Sequence, residues 1–124
     1  MLTFKKTYTF TRNMKNKAKN IYNQILKAKA KNHKLLAVLL DPDKIVWSKI
    51  DYLIDRINQS PATHVFIGGS LVESNITDEL ILKIKQNCLL SIVLFPGNPS
   101  QISKEADGIL FLSLLSGRNA DYLI

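Results

Sequence analysis

The stretch LLAVLLDPDK, residues 35–44, decides how this chain is read. Six apolar residues run without a break into Asp41, Pro42, Asp43 and Lys44. A short continuous apolar run of this kind reads as a strand buried on both faces, as in a parallel sheet. Two carboxylates and a lysine at its end are either helix caps or ligands for something charged.

The pattern repeats downstream. Val46, Ile50, Leu53 and Ile57 are spaced as one face of a helix. THVFIGG (63–69) is the next strand. Ile76, Leu80, Ile84 and Cys88 mark a second helical face, with Ser74 or Asn75 as its N-cap. LLSIVLF (89–95) is a third strand, residues 99–106 have room for a short helix, and GILFLSLL (108–115) is a fourth strand. Strands alternating with helices predict an α/β fold, a parallel sheet covered by helices. Upstream, residues 15–31 place Ala18, Ile21, Tyr22, Ile25 and Leu26 on one face of an amphipathic helix. That helix is expected to pack on the domain, and its basic face also suits peripheral contact with a membrane. Residues 1–13 show no helical period and read as a disordered or adventitious tail, with Met14 as an alternative start.

Composition narrows the function classes. A chain of 124 residues with 46% hydrophobic content fits one small domain with a core. The net charge of +7 first suggests nucleic acid. However, residues 1–34 hold ten of the 17 Lys and Arg and no acid, leaving seven basic against ten acidic residues in the rest. The basicity belongs to an N-terminal segment, so no nucleic-acid partner is expected. The lone Cys88 excludes an internal disulfide and reads as a buried apolar thiol. The apolar runs are too short to span a bilayer and no signal peptide opens the chain, so the expected location is the cytoplasm.

The polar exceptions line up at strand ends. Asp41-Pro42-Asp43 follows the first strand, Gly68-Gly69-Ser70 the second, Pro96-Gly97-Asn98 the third and Ser116-Gly117-Arg118-Asn119 the fourth. In parallel α/β folds these ends share one edge, where ligands bind. Asp41 and Asp43 offer the hard oxygens that Mg²⁺ prefers, and Mg²⁺ commonly takes only one or two protein carboxylates. Asp41 is assigned as the ligand, and Asp43 equally as ligand or as cap of the following helix. Gly68-Gly69 permits close backbone approach, positive φ and free N–H donors, and Ser70 adds a hydroxyl suited to metal or phosphate. Pro96-Gly97-Asn98-Pro99 is a rigid, uncharged turn with a shaping role. Arg118 is either an anion contact or a surface residue. His33 and His64 read as solvated or structural, and Trp47 as packed under the first helix. A flavodoxin-like receiver domain also places acids after its first strand, but it needs an acceptor Asp after its third, where this chain has Phe95-Pro96-Gly97.

LLAVLLDPDK, THVFIGGSLV, LFPGNPSQIS and ADGILFLSLLSGRNADYLI together resemble geranylgeranylglyceryl phosphate synthase, a family that includes heptaprenylglyceryl phosphate synthase. The resemblance runs from about residue 20 to residue 124. It implies a TIM-type (β/α)8 barrel, of which this chain is the N-terminal half over residues 14–124. It implies Mg²⁺-dependent transfer of a prenyl group from prenyl diphosphate to sn-glycerol 1-phosphate, giving an ether-lipid precursor. It places Mg²⁺ on Asp41 and Ser70, and it suggests a homo-oligomer for the full-length protein. Gly68, Gly69 and Asp43 are candidate substrate contacts. A complete barrel needs eight strands and about 250 residues. The family's glycerol-phosphate loops belong to the second half, so this chain is expected to be inactive alone. The alternative is a non-catalytic half-barrel module that pairs with itself or a partner through open strand edges.

Overall fold

The structure, a computed structural model, describes residues 20–69, 74–97 and 101–110. Four strands pair in parallel in chain order: β1 (Ala37–Leu40), β2 (His64–Ile67), β3 (Ser91–Leu94) and β4 (Gly108–Ile109). Helix α1 (Ile21–Ala30) precedes β1, α2 (Ile50–Gln59) joins β1 to β2, and α3 (Ser74–Asn87) joins β2 to β3. Sequential strand order is the winding of a barrel wall, because a doubly wound sheet reverses order at a switch point. This disposes of the receiver-like alternative on topology as well as on sequence.

Strand alternation divides the sheet into two faces. Val38, Val65 and Ile92 stand in one register row, and Leu40, Ile67 and Leu94 in another. Five of them join the buried core with Ile50, Ile54 and Ile57 of α2 and Leu80, Ile81 and Ile84 of α3, and the partly buried Val38 packs against it. Each such side chain contributes roughly 1.5–3 kcal/mol on burial. Cys88 is buried in the same cluster, as its thiol was expected to be. The opposite face carries Ala37, Leu39, His64, Phe66, Ser91 and Val93. Helix α1 covers its N-terminal end: a Cβ on Gly108 would meet Ile21 Cδ1 at 2.8 Å, and Ser91 Oγ lies 3.5 Å from Gln24 Oε1. A cavity of about 250 Å³ between α1 and this face is lined by Ile21, Ile25, Ala37, His64, Phe66 and Val93, among others.

Several expectations are corrected here. β1 is buried on one face only: Leu39 is 56% exposed, because α2 packs on one side of this edge strand and on the other α1 reaches only its N-terminal end. Val46 is exposed and lies outside α2, whose buried residues are Ile50, Ile54 and Ile57. Trp47 sits in a 3-10 turn, Trp47–Lys49, and is partly exposed rather than packed under a helix. The face expected for α1 is only partly packed, with Tyr22, Ile25 and Leu26 exposed. Residues 102–107 run irregularly through turns and bends, so no α-helix occupies that part of the β3–β4 connection. A carboxylate ties this connection down instead. Asp107 Oδ2 accepts the Ile92 N–H at 2.8 Å, and its Oδ1 lies 3.2 Å from Lys85 Nζ. Lys85 also donates to the Glu105 carbonyl. The proposed tail at 1–13, Met14, Ser70, Asn98, Pro99, the cluster at 116–119 and the strand beyond residue 110 lie outside the described residues, as do the side chains of Ser74 and Asn75.

Candidate functional site

The C-terminal ends of β1, β2 and β3 open on one cleft of about 640 Å³. Leu39, Leu40, Asp41, Lys44 and Ile45 line it from β1, Gly68 and Gly69 from β2, and Phe95 and Gly97 from β3. Three of the four clusters singled out in the sequence therefore meet, as the strand-end argument requires.

Asp41 leaves β1 in extended conformation and starts the 3-10 turn Pro42–Lys44. Its Oδ1 accepts the Asp43 N–H at 3.1 Å, and its carbonyl accepts the Lys44 N–H at 3.0 Å. Pro42 favours this start, since its fixed φ suits a first helical position. Asp41 Oδ2 lies 3.4 Å from the largely exposed ammonium of Lys44. The capping role expected of Asp43 thus falls to Asp41. Asp43 is exposed and does not line the cleft, and α2 begins well beyond it with no side-chain cap.

Gly68 is glycine for a reason other than positive φ. No described glycine has positive φ, and the Gly68 N–H is not free, since it donates to the Leu40 carbonyl at 3.1 Å. A Cβ at Gly68 would stand 1.8 Å from the Phe95 carbonyl oxygen and 2.6 Å from its carbon. The loops after β2 and β3 touch backbone to backbone at this point. Phe66 and Phe95 stack across the same two strands, ring centroids 6.3 Å apart. The cleft has a carboxylate and a lysine on one side and Phe95 on the other, while Phe66 lines the cavity beneath α1.

Gln101 gave no signal in the sequence, being a single amide in a loop. It is 2% exposed, accepts the Gly97 N–H at 2.7 Å and donates to the Gly69 carbonyl at 2.8 Å. His64, by contrast, starts β2 at the opposite edge of the sheet. It is buried, with Nδ1 2.8 Å from Thr63 Oγ1, a structural role as expected. His33 is exposed.

Among the described residues no cluster of three or more His, Cys, Asp or Glu could hold a metal. That pattern suits Zn²⁺; Mg²⁺ needs only one or two carboxylates and completes its shell with water and phosphate. Asp41, a half-buried hard oxygen donor on a cleft with a close-lying glycine backbone, fits such an ion. No helix among the described residues is long and apolar enough to cross a membrane.

Comparison with known proteins agrees with this architecture. The geranylgeranylglyceryl phosphate synthase of Flavobacterium johnsoniae is 65% identical over 104 residues, covering 84% of this chain and 43% of that protein. That of Chitinophaga pinensis is 45% identical over 104 residues, covering 84% and 41%. Among solved structures, (S)-3-O-geranylgeranylglyceryl phosphate synthase of Thermoplasma acidophilum, crystallised with its substrate sn-glycerol-1-phosphate, matches with a TM-score of 0.68 at 30% identity. That match covers 77% of this chain and 39% of the other. The chain thus spans about two fifths of the length of these relatives. Its four sequential parallel strands are half of a (β/α)8 barrel. The PcrB family model matches residues 23–124, and with sheet order, strand-end cleft and relatives all in agreement, the chain belongs to the PcrB family.

Proposed function

We propose that this chain supplies the metal–diphosphate half of a prenylglyceryl phosphate synthase. The reaction is transfer of a geranylgeranyl or similar prenyl group from its diphosphate to the free hydroxyl of sn-glycerol 1-phosphate. The observation that carries this reading is the convergence of Asp41, Gly68 and Gly69 on one strand-end cleft, in a chain whose relatives bear that activity. Asp41 and Ser70 would hold Mg²⁺, which when bound neutralises the charge that builds on the departing diphosphate. Asp41 suits this task because the Asp43 N–H occupies Oδ1 and fixes the carboxylate, leaving Oδ2 to the cleft and Lys44. Lys44 can exchange its exposed ammonium from Asp41 to a phosphate oxygen. Gly68 and Gly69 keep side chains out of the space next to the diphosphate. Leu39 and Phe95 give the allylic carbon an apolar surround that limits capture by water.

The resemblance assigns the glycerol-phosphate loops to the second half of the barrel, so the 124-residue chain is proposed to be inactive alone. The exposed Tyr22 and Leu26 beside Lys27 and Lys29 suit peripheral membrane contact, and homo-oligomerisation of the longer protein is proposed with it. The test is Asp41→Asn in a family-length protein carrying this chain. Loss of several kcal/mol of charge stabilisation lowers Mg²⁺-dependent ether formation by about 10²–10³-fold. A wild-type rate at limiting Mg²⁺ removes Asp41 from the metal site.

One observation favours a second reading, a self-pairing module: Leu39 on the edge strand β1 and Ile109 on β4, which point to opposite faces of the sheet, are both exposed. Sedimentation of the 124-residue chain separates the two. A defined dimer favours the module, and a polydisperse aggregate favours half of an enzyme.

A further inference from the structure

We infer that Gln101 is the positioning residue of the metal–diphosphate cleft, pinning the loop after β2 to the loop after β3. The inference rests on the metal–diphosphate reading of the cleft and adds to it a residue that does not face the ligand. Both functional ends of the Gln101 amide are spent on backbone, one on each loop. Its Oε1 accepts the Gly97 N–H at 2.7 Å, and its Nε2 donates to the Gly69 carbonyl at 2.8 Å. Gly69 and Gly97 both line the cleft, and Gln101 itself is 2% exposed.

The pin sits where the loops need one. Below it, the sheet ladders continue through Gly68 N–H to the Leu40 carbonyl and Phe95 N–H to the Ile67 carbonyl. Gly68 touches the Phe95 backbone too closely for any side chain. Among the described residues the ladder stops at Gly68, and at Gly69 the Gln101 amide takes over. Fixing the Gly69 carbonyl holds the loop after β2 in place on the cleft wall. Only glutamine does this at position 101. Glutamate has no donor for the Gly69 carbonyl, asparagine is one methylene too short to serve both loops, and methionine takes this partner from both the Gly97 N–H and the Gly69 carbonyl. Groups that orient a metal site from behind typically matter 10–100-fold in metal affinity.

The test uses a family-length protein carrying this chain, Mn²⁺ as the Mg²⁺ surrogate and inorganic pyrophosphate as the diphosphate. Bound Mn²⁺ is read by electron paramagnetic resonance, at a temperature where circular dichroism shows each variant folded. Gln101→Met and Gln101→Asn are expected to weaken Mn²⁺–pyrophosphate binding about 10–100-fold. Wild-type affinity in a folded Gln101→Met or Gln101→Asn overturns the inference and leaves a merely structural amide. Asp41→Asn distinguishes the two levels: if it abolishes binding while the Gln101 variants keep it, the cleft reading stands and the pin falls. If the wild-type chain binds no Mn²⁺–pyrophosphate, or Asp41→Asn binds as wild type, the cleft reading falls and this inference with it. Should both Gln101 variants fail to fold, amide exchange in the wild type decides. A preset pin protects the Gly97 N–H before any ligand is added, and exchange at the rate of an open loop overturns it.

Discussion

Replacing Gly68 by alanine tests the closest backbone approach found at a described glycine. The added Cβ would lie 1.8 Å from the Phe95 carbonyl oxygen, whereas real Cβ contacts are not found under 3.0 Å. The clash is with backbone, so no rotamer change relieves it. The strands must part by about 1.2 Å to reach that limit. The Phe95 N–H to Ile67 carbonyl bond, now 2.8 Å, is the ladder bond that holds β3 to β2 there. Such a shift carries it beyond hydrogen-bonding range. Losing this bond and leaving its two groups poorly paired costs about 1–3 kcal/mol. A domain of this size loses about 3–6 °C in Tm per kcal/mol, so a fall of about 5–15 °C is expected. Thermal unfolding followed by circular dichroism reads it directly. Gly108→Ala is the control: its Cβ meets only the flexible tip of Ile21 at 2.8 Å, and a cost below about 1 kcal/mol is expected. A Gly68→Ala Tm within about 3 °C of wild type would refute the close-approach reasoning.

Asp107→Ala removes the acceptor of the Ile92 N–H and the partner of Lys85, and Ile92 is fully buried. An unpaired buried donor costs about 1–3 kcal/mol, so a clear loss of urea stability is expected; an unchanged midpoint counts against the strap. Asp107→Asn keeps a carbonyl acceptor and should lose less than half as much. Leu39→Ala should behave differently in two settings. In the 124-residue chain Leu39 is 56% exposed, so the change stays within about 0.5 kcal/mol. In a family-length protein the same side chain faces a filled barrel interior, and the cost rises to about 2–5 kcal/mol. Equal effects in both would mean that this face is not a barrel interior.

The parts of the fold carried by local pattern were legible in the amino-acid sequence. Three apolar runs bounded by turn residues became β1, β2 and β3, and the strand-end rule brought Asp41, Gly68, Gly69 and Gly97 to one cleft. What failed were statements about which neighbour covers a residue. LLAVLL is as apolar as a strand buried on both faces, yet β1 lies at the edge of the described sheet and α2 covers one side of it. Val46 keeps helical spacing with Ile50, but the 3-10 turns at Pro42–Lys44 and Trp47–Lys49 delay α2. Either acid of Asp-Pro-Asp could have been the cap. Extended backbone at Asp41 and Pro42 at the first turn position decide it, and neither is readable from residue type alone. Gln101 was invisible because its role depends on two loops that meet only in three dimensions. Residue type alone offers Gly68 close approach to a ligand, positive φ and a free N–H; in the fold its φ is not positive, its N–H is taken by Leu40, and the close approach is to the Phe95 backbone.

The most direct test of the account divides the enzyme. The 124-residue chain and a separately produced second half-barrel from a family member are assayed singly and mixed, with geranylgeranyl diphosphate, sn-glycerol 1-phosphate and Mg²⁺, and the ether product is measured by mass spectrometry. The account predicts no product from either half, product from the mixture, and none when the mixture carries Asp41→Asn. Transfer by the 124-residue chain alone, or full activity of the mixture with Asp41→Asn, would contradict it.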